Sequence, residues 1–376
     1  MKYYIISGEA SGDLHGSNLI KELRKLDGEA SIRCWGGDLM EKAGATVVKH
    51  YRDLAFMGFA EVIQNLGTIF KNIRFCKQDI STFQPDVLIL IDYPGFNLRI
   101  AAWAKQQGIK ILYYISPQIW AWKENRIHAI KKNVDKMLVI LPFEKEFYAK
   151  WNFNVEYVGH PLVEVIDAFK STIISEDSTT DHFDRNEDSP IIALLPGSRK
   201  QEILKKLPVM LQVAKRFPHY QFVVAKAPGL PEDFYNNLMV DQKNVSAVLN
   251  QTYELLSKSR AALVTSGTAT LETALFGVPE VVCYKGNNIS YQIAKRLIKI
   301  KYICLVNLIM DKEVVKELIQ QEMNEDNLVN ELGLLLTNKN KQQKIQEDYD
   351  RLRALLKLGG NASENAALSV WNFVNK

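Results

Sequence analysis

The chain has 376 residues, more than one ordinary hydrophobic core needs and enough for two domains of moderate size. Hydrophobic residues make up 47% and charged residues 24%, a balance typical of a globular protein. The net charge of +4 is too small to indicate a nucleic-acid binder, and no apolar run approaches the roughly 18 residues that cross a bilayer. We therefore expect a soluble protein whose membrane role, if it has one, is played from the surface.

Four cysteines are scattered along the chain without a CxxC pair: Cys34, Cys76, Cys283 and Cys304. This spacing indicates neither a disulfide framework nor a zinc site. We expect the thiols to be buried small hydrophobic groups in a protein of a reducing compartment.

Short apolar runs alternate with helix-length amphipathic segments, the pattern of a parallel sheet covered on both faces. In the first half, strands are predicted at residues 3–7, 87–92, 109–115 and 137–141, with crossover helices at residues 14–26 and 97–107. The pattern restarts with strands at residues 191–195, 221–225, 261–265 and 281–284. From about residue 312 onward the chain reads as helical.

The repeated α/β pattern predicts two Rossmann-like domains that face a cleft. The first is expected over residues 1–170 and the second over residues 191–345, followed by C-terminal helices over residues 346–376. Residues 171–190 are polar and acidic, and we expect them to form an exposed linker. In such sheets ligands bind beyond the carboxyl ends of the strands, where the unusual loops of this chain fall.

The first such loop is SGEASGD at residues 7–13, where Gly8 and Gly12 permit a tight turn and Asp13 can cap the next helix. It lacks the GxGxxG pattern, and no acidic residue ends a second strand at the distance a dinucleotide site requires. Two interpretations stay open: glycines used only for the turn, or an acceptor-binding loop that includes Ser11.

The second loop is DYPGFN at residues 92–97. Asp92 follows a buried strand, so it can face the cleft and deprotonate an attacking hydroxyl, or it can serve only in capping and turn formation. Asn97 is better placed to cap the following helix, and it is also a candidate acceptor contact.

Two further segments of the first domain are candidate acceptor sites. In SPQIWAW, residues 116–122, Gln118 and Trp120 stand beside a proline turn, and tryptophan rings either stack on sugars or pack in the core. In YVGHP, residues 157–161, His160 is either a substrate ligand or a structural histidine near the hinge.

Two strand-to-helix turns of the second domain, LPGSR and SGTATLE, predict a nucleotide-sugar site. Free backbone N–H groups at a helix start, together with a guanidinium group, suit a diphosphate, and a carboxylate one turn further on can accept from ribose hydroxyls. The alternative is two ordinary capped helix starts. The candidate donor-binding residues are Gly197, Ser198, Arg199, Ser266, Gly267, Thr268 and Glu272.

A DxD sequence occurs at residues 348–350, but it lies inside a charged helical stretch and not at the strand-to-loop junction where such sequences hold a metal. The positive end of a helix and Arg199 can neutralise a leaving UDP instead. We therefore predict no metal and no cofactor.

Six segments occur here in the order seen in one family: SGEASGD, DYPGFN, YYISPQIWAW, YVGHP, LPGSR and SGTATLE. Over nearly the whole chain the sequence resembles the lipid-A-disaccharide synthase family, glycosyltransferase family 19, with the GT-B fold. The resemblance implies a hexosyltransferase of lipid A biosynthesis that works without metal and inverts the anomeric centre. It implies transfer of 2,3-diacylglucosamine from UDP to the 6-hydroxyl of 2,3-diacylglucosamine 1-phosphate.

Residue by residue, the resemblance implies that Asp92 is the general base and that Arg199 lies near the donor diphosphate. It implies that Asn307 lies near the nucleotide and that Glu9 is a functional acidic residue whose role is less settled. The implied partners are the two acylated sugar substrates and a membrane surface, without nucleic acid; a homodimer stays open.

Residues 56–75 carry apolar side chains at helical spacing, interleaved with Lys71 and Arg74 and followed by Lys77. Part of this stripe must be ordinary core, and an exposed remainder can hold acyl chains or touch anionic lipid. With the resemblance, it predicts a cytoplasmic protein peripherally associated with the inner face of the inner membrane.

Two alternatives use the same nucleotide loops. A UDP-N-acetylglucosamine 2-epimerase-like enzyme would need no acceptor and no exposed apolar stripe. A non-catalytic nucleotide-sugar-binding protein would bind UDP without turnover and would have no use for Asp92.

Overall fold

The computed structural model describes residues 1–54, 66–175, 190–240, 242–287, 291–292 and 300–376. Most of the predicted acidic linker, residues 176–189, lies outside the described residues, whereas residues 171–175 end a helix. The first part of the predicted apolar stripe, residues 56–65, also lies outside the described residues.

A seven-stranded parallel sheet organises the first unit within the described residues. Its strands are β1 (Lys2–Ile6), β2 (Ser31–Gly36), β3 (Thr46–His50), β4 (Val87–Ile91), β5 (Lys110–Tyr114), β6 (Lys136–Val139) and β7 (Glu156–Tyr157). They lie in the order β3-β2-β1-β4-β5-β6-β7, so the direction of winding reverses between β1 and β4. The five residues of β4 are all buried because helices cover both faces of the sheet.

A six-stranded parallel sheet organises the second unit in the same way. Its strands are β8 (Ile191–Leu195), β9 (Gln221–Lys226), β10 (Val245–Leu249), β11 (Ser259–Thr265), β12 (Glu280–Tyr284) and β13 (Lys316–Ile319). The order β10-β9-β8-β11-β12-β13 places the reversal between β8 and β11. Two Rossmann-like domains are thus confirmed.

The α-helices of the described residues are, in chain order, α1 (Ala10–Leu26), α2 (Asp38–Lys42), α3 (Leu66–Phe83), α4 (Pro94–Gln106), α5 (Ile127–Asn133), α6 (Glu144–Ala149), α7 (Pro161–Ser175), α8 (Lys200–Arg216), α9 (Glu232–Leu238), α10 (Thr252–Lys258), α11 (Thr268–Phe276), α12 (Leu305–Met310), α13 (Glu325–Thr337), α14 (Lys339–Lys357) and α15 (Ala362–Val374). Short 3-10 helices cover Tyr51–Leu54, Glu124–Arg126 and Gln320–Glu322. No helix among the described residues is long and apolar enough to cross a membrane.

The last helix belongs to the first unit, which comprises Met1–Pro161 and Leu356–Lys376, whereas the second comprises Leu162–Leu355. Helix α15 packs on α1, and the Lys110 ammonium donates to two of its last carbonyls, those of Phe373 and Val374. The domain boundaries expected from the sequence, which followed chain order, did not anticipate this return of residues 356–376.

Five strands were not predicted from the sequence: β2, β3, β7, β10 and β13. Four of them are edge strands with partly exposed side chains, and β2 is interrupted by Arg33, so their apolar alternation is weak. The expectation of purely helical structure from residue 312 onward is therefore wrong at β13. The four cysteines are buried and free, as expected.

Candidate active site

Four of the six family segments, SGEASGD, DYPGFN, LPGSR and SGTATLE, lie at the switch points of the two sheets. Ile6 of β1 pairs with Leu90 of β4, so the chain leaves these strands side by side into SGEASGD and DYPGFN. Leu195 of β8 pairs with Val264 of β11, so the chain also leaves these two strands side by side, into LPGSR and SGTATLE. The crevice beyond the carboxyl ends at a switch point is the usual ligand site of open α/β sheets.

Asp92 and Tyr93 adopt positive φ angles of 42° and 48°, a region that side chains other than glycine rarely occupy. Neighbouring bonds hold this backbone in place. The Asp92 amide donates to the Ile115 carbonyl at 3.2 Å, and the Tyr113 hydroxyl donates to the Asp92 carbonyl. Strained backbone fixed by its surroundings is common at functional sites.

Asn97 is fully buried within the first turns of α4 and does not cap that helix, which begins at Pro94 after Tyr93. Its side-chain amide donates to the Asp92 carbonyl at 2.7 Å and to the Ile91 carbonyl at 3.2 Å. The expectation that Asn97 caps the helix is wrong, because the helix starts three residues earlier. Its position makes it a residue that holds the Asp92 loop.

The first two loops touch through Gly8 and Tyr93. A Cβ atom on Gly8 would lie 2.5–2.7 Å from atoms of the Tyr93 ring, so only glycine fits beneath that ring. Glu9 follows at the N-cap position of α1, and Ser11 is exposed in the first turn. Asp13 is buried and accepts from Gly37 N and Met40 N, so it caps α2 and not the helix predicted.

The pKa of the Asp92 carboxyl group is raised from its ordinary value to about 7. Burial among protein atoms is the main cause, the negative charge of Glu9 adds to it, and a bond from the Tyr93 backbone amide opposes it. The residue still keeps an exposed face, so a substrate hydroxyl can reach it. A carboxylate with a pKa near neutrality is well matched to general-base chemistry.

The other acceptor candidates of the first unit divide by exposure. Gln118 is exposed, whereas Trp120 is half-buried, stands edge-on to Phe143 and donates its indole N–H to Glu144 at 3.3 Å. His160 is buried, and burial lowers its pKa to about 3, with the charge of His15 as a second cause. Trp120 is thus held by Phe143 and Glu144 and His160 is enclosed, while Gln118 is open to a ligand.

In the second unit, Gly197 takes a φ of 123°, and a Cβ atom there would lie 2.6 Å from Glu202 Oε2. Ser198 and Arg199 are exposed at the start of α8, and Glu202 is 3.5 Å from the Arg199 guanidinium group. Lys206, two helical turns along, is buried and donates to the Thr265 hydroxyl at the end of β11. Lys206 belongs to none of the sequence motifs and was not predicted, although it is seven residues from Arg199 and therefore on the same helix face.

The second donor loop opens α11 with Gly267 at the N-cap and with Gly267 and Thr268 exposed. The Ser266 hydroxyl donates to the Ile303 carbonyl at 3.0 Å, which ties this loop to the segment before α12. Glu272 accepts from the Tyr253 hydroxyl at 3.0 Å, and burial raises its pKa. The exposed amides at this helix start are suited to an anion.

Asn307 is fully buried and has bonding partners at both ends of its amide. Its oxygen accepts from Val314 N and Val315 N at 2.8 and 3.0 Å, and its nitrogen donates to Glu317 at 3.0 Å. Glu317 also accepts from Ile303 N, so the network fixes the carbonyl that Ser266 binds. In this structure Asn307 therefore helps to hold, through Glu317 and Ile303, the loop that contains Ser266.

The DxD sequence lies within α14. Asp348 is buried and pairs with Lys312, and Asp350 accepts from Gln346 at 3.1 Å. Asp348 therefore serves the packing of the helix, whereas Asp350 is exposed and bonded within it. Among the described residues, no group of three or more His, Cys, Asp or Glu side chains is arranged to hold a metal ion.

Two solved structures with this fold are a nucleotide-sugar epimerase and a glycosyltransferase. The UDP-GlcNAc 2-epimerase of Neisseria meningitidis, bound to UDP-GlcNAc, matches with a TM-score of 0.70 at 14% identity, covering 100% of both chains. The calicheamicin glycosyltransferase CalG4 matches with a TM-score of 0.62 at 16% identity, covering 100% of this chain and 98% of that one. The architecture is the GT-B fold, which glycosyltransferases and these epimerases share.

Sequence relatives show to which family of GT-B proteins the chain belongs. The model of the lipid-A-disaccharide synthetase family matches residues 3–370. The lipid-A-disaccharide synthase of Syntrophus aciditrophicus is 40% identical over 380 residues, 99% of this chain and 97% of that protein. A Coxiella burnetii lipid-A-disaccharide synthase is 38% identical over 374 residues, 98% of each. The chain belongs to the lipid-A-disaccharide synthase family of glycosyltransferases, and the epimerase-like alternative is not favoured.

Proposed function

We propose that the enzyme transfers 2,3-diacylglucosamine from UDP to the 6-hydroxyl of 2,3-diacylglucosamine 1-phosphate, with inversion at the anomeric carbon. Asp92 takes the proton of the 6-hydroxyl as the oxygen attacks, and the bond from the anomeric carbon to UDP breaks with its electron pair on UDP. The products are lipid A disaccharide 1-phosphate and UDP. The position of the four family loops at the two switch points is the observation that supports this proposal most strongly.

In this proposal the second unit binds the donor. Arg199, the exposed start of α8 and the exposed start of α11 contact the diphosphate, Lys206 lies behind them at Thr265, and Glu272 accepts from the ribose. The first unit binds the acceptor through Ser11, Gln118 and the Asp92 loop. Glu9 raises the pKa of Asp92 and thereby makes it a stronger base. Asn97 and Asn307 hold the two loops in place.

Neutralisation of the leaving UDP by these cations and helix ends would make a divalent metal unnecessary. Turnover is therefore expected to persist in an excess of EDTA. Complete inhibition by EDTA, reversed by added Mg²⁺ or Mn²⁺, would contradict the metal-free mechanism.

The reaction itself is tested by incubating the enzyme with UDP-2,3-diacylglucosamine and 2,3-diacylglucosamine 1-phosphate and analysing the products by mass spectrometry. A disaccharide monophosphate together with UDP is the expected result, and β configuration at the new bond would establish inversion. An epimerised UDP-sugar formed without acceptor, or UDP binding with no product, would overturn the proposal in favour of one of the two alternatives.

We further propose that the enzyme works at the inner face of the inner membrane, where acylated substrates are held. Helix α3 turns Ile73, Cys76 and Ile80 into the core. On its outer side Phe70 is 61% exposed, next to the exposed cations Lys71 and Arg74. An exposed aromatic ring among cations is suited to an anionic lipid surface.

A further inference from the structure

Two cations on the segment that follows β5 have no carboxylate partner among the described residues. Lys123 and Arg126 lie on the segment between β5 and α5, around the exposed ring of Trp122. The Lys123 ammonium lies 4.3 Å and the Arg126 guanidinium 5.6 Å from the centre of that ring. Both distances are in the range of cation–π attraction, so the Trp122 ring holds the two positive charges close to each other.

Glu124 stands between these cations in the chain but is engaged elsewhere, since its carboxylate accepts from the Trp151 indole at 3.3 Å. Burial lowers the pKa of Lys123, and the charge of Arg126 lowers it further. Burial also lowers the pKa of Arg126. Two like charges held together and partly desolvated are unfavourable alone, and an anion between them would reverse the sign of that interaction.

The cations belong to the same end of the sheet as Asp92. The Ile115 carbonyl, at the start of their segment, accepts from the Asp92 amide, and the Tyr113 hydroxyl donates to the Asp92 carbonyl. Burial and the charge of Asp92 raise the pKa of Tyr113, whereas the charge of Arg126 lowers it. Tyr113 therefore interacts electrostatically with both the Asp92 carboxylate and the Arg126 guanidinium.

We propose that Lys123 and Arg126 bind the phosphate of a sugar-phosphate acceptor and so place its free hydroxyl at Asp92. This proposal rests on the proposed function and names the residues that recognise the phosphate of the acceptor. In a pyranose, C1 and the carbon that carries C6 flank the ring oxygen, so a 1-phosphate and a 6-hydroxyl lie along one edge of the sugar. When the two cations fix the phosphate at one end of this edge, the 6-hydroxyl at its other end is placed at Asp92.

The test compares wild type with Arg126→Gln and Lys123→Gln in mixed micelles of neutral detergent. For each protein, KM is measured for 2,3-diacylglucosamine 1-phosphate, and Ki is measured for the phosphate-free sugar as a competing ligand. Each variant should raise KM for the phosphorylated acceptor about 10- to 100-fold, as for loss of a charge-assisted bond, and leave Ki unchanged. Arg126→Lys, which keeps the charge, should recover part of the loss, and Lys132→Gln on α5 is the matched control.

KM and Ki that rise together, or a KM that stays at the wild-type value, would overturn the phosphate assignment. Unchanged KM with weaker binding to anionic vesicles would assign the cations to lipid headgroups instead and would also overturn it. If Arg126→Gln does not fold, the exposed Lys123 carries the test with the same expected change. Wild-type enzyme that forms no disaccharide would contradict the proposed function itself, which separates the two failures.

Discussion

The backbone of Asp92 is held in place by several neighbouring residues of its own unit. Its left-handed backbone is held by Asn97, Tyr113 and the Ile115 carbonyl, and the Tyr93 ring beside it rests on Gly8. The backbone of Asp92 cannot relax to a common conformation without breaking these bonds. The point at which the side chain leaves the main chain is therefore fixed, which is the preorganisation that the proposed general base requires.

Asp92→Asn is expected to lower turnover by roughly 100-fold or more, the scale of a lost general base, and to leave UDP affinity nearly intact. Because the base works only when ionised, a raised pKa of about 7 predicts that kcat/KM falls as the pH drops below 7. The variant should lose this acidic limb. Steady-state kinetics across pH 5.5–8.5 give the check, at pH values chosen to span about one and a half units on either side of 7.

Asp86→Asn is the matched control, since Asp86 is exposed at the opposite end of the same strand and accepts from the Lys2 amide. Its turnover and pH profile should equal those of wild type. Near-normal turnover of Asp92→Asn with the acidic limb retained would eliminate Asp92 as the base.

Arg199→Ala is expected to weaken donor binding by about 1.5–3 kcal/mol, the usual contribution of a hydrogen bond to a charged group. Half of the Arg199 side chain is exposed, and the Glu202 carboxylate lies 3.5 Å from its guanidinium group, so a diphosphate can reach this guanidinium from solvent. Calorimetric titration with UDP and the donor KM measure the change. Lys200→Ala, the neighbouring exposed cation, should have little effect; equal losses in both variants would indicate a general charge effect.

Among the elements, the sequence predicted best those that are apolar on both sides. The central strands β1, β4, β8 and β11 and the loops that follow them were placed correctly, because buried runs and glycine turns leave strong local signals. Edge strands such as β10 and β13 depend on a neighbour and leave weak signals. The capping roles predicted for Asp13 and Asn97 were wrong, since the partner of a polar side chain depends on which backbone groups lie near it in space.

Strand β12 begins with a carboxylate that the proposed reaction does not use. Glu280 is 1% exposed, and neither carboxylate oxygen has a hydrogen-bond partner among the described residues. Burial raises its pKa well above the ordinary value, which favours the protonated form in the folded protein. A folded-state pKa above the unfolded one gives stability that is present at acid pH and lost as the pH rises toward the folded value.

Glu280→Gln should therefore remove a pH-dependent loss of stability. Between the unfolded pKa and the folded one, this loss is about 1.4 kcal/mol per pH unit for a single group. Urea midpoints measured at several values between pH 5 and pH 8 should decline less in Glu280→Gln than in wild type. Glu347→Gln, an exposed carboxylate of α14, is the control and should follow wild type. Parallel pH curves for wild type and Glu280→Gln would show that the carboxyl group is already ionised or solvated.

At the scale of the whole molecule, helix α3 carries the surface of the proposed membrane contact. On the described part of α3, the exposed side differs from the core side: Phe70, Lys71 and Arg74 are outside, and Ile73 is buried. Phe75 is 43% exposed, but its ring lies 6.1 Å from that of the core residue Trp35. The sequence predicted a stripe with a buried part and an exposed part, but periodicity alone could not say which aromatic ring packs.

Phe70→Ser is expected to weaken binding to anionic vesicles, because it removes an exposed ring without removing a core contact. Lys71→Gln and Arg74→Gln should each lower vesicle affinity about fivefold, which corresponds to about 1 kcal/mol for each cation near an anionic surface. Binding of wild type should rise with the anionic lipid fraction and fall with salt, since salt screens exposed charges. Sedimentation with vesicles of defined composition measures all four proteins.

Leu358→Ser is the matched control, because Leu358 is 75% exposed and lies in the first unit but outside α3. If apolar exposure alone mattered, Leu358→Ser would weaken binding as much as Phe70→Ser does. If α3 is the contact, Leu358→Ser should sediment like wild type, and circular dichroism should show both variants folded. A folded Phe70→Ser variant that binds vesicles as tightly as wild type would place the membrane contact on another surface, and the charge variants would then be expected to have no effect either.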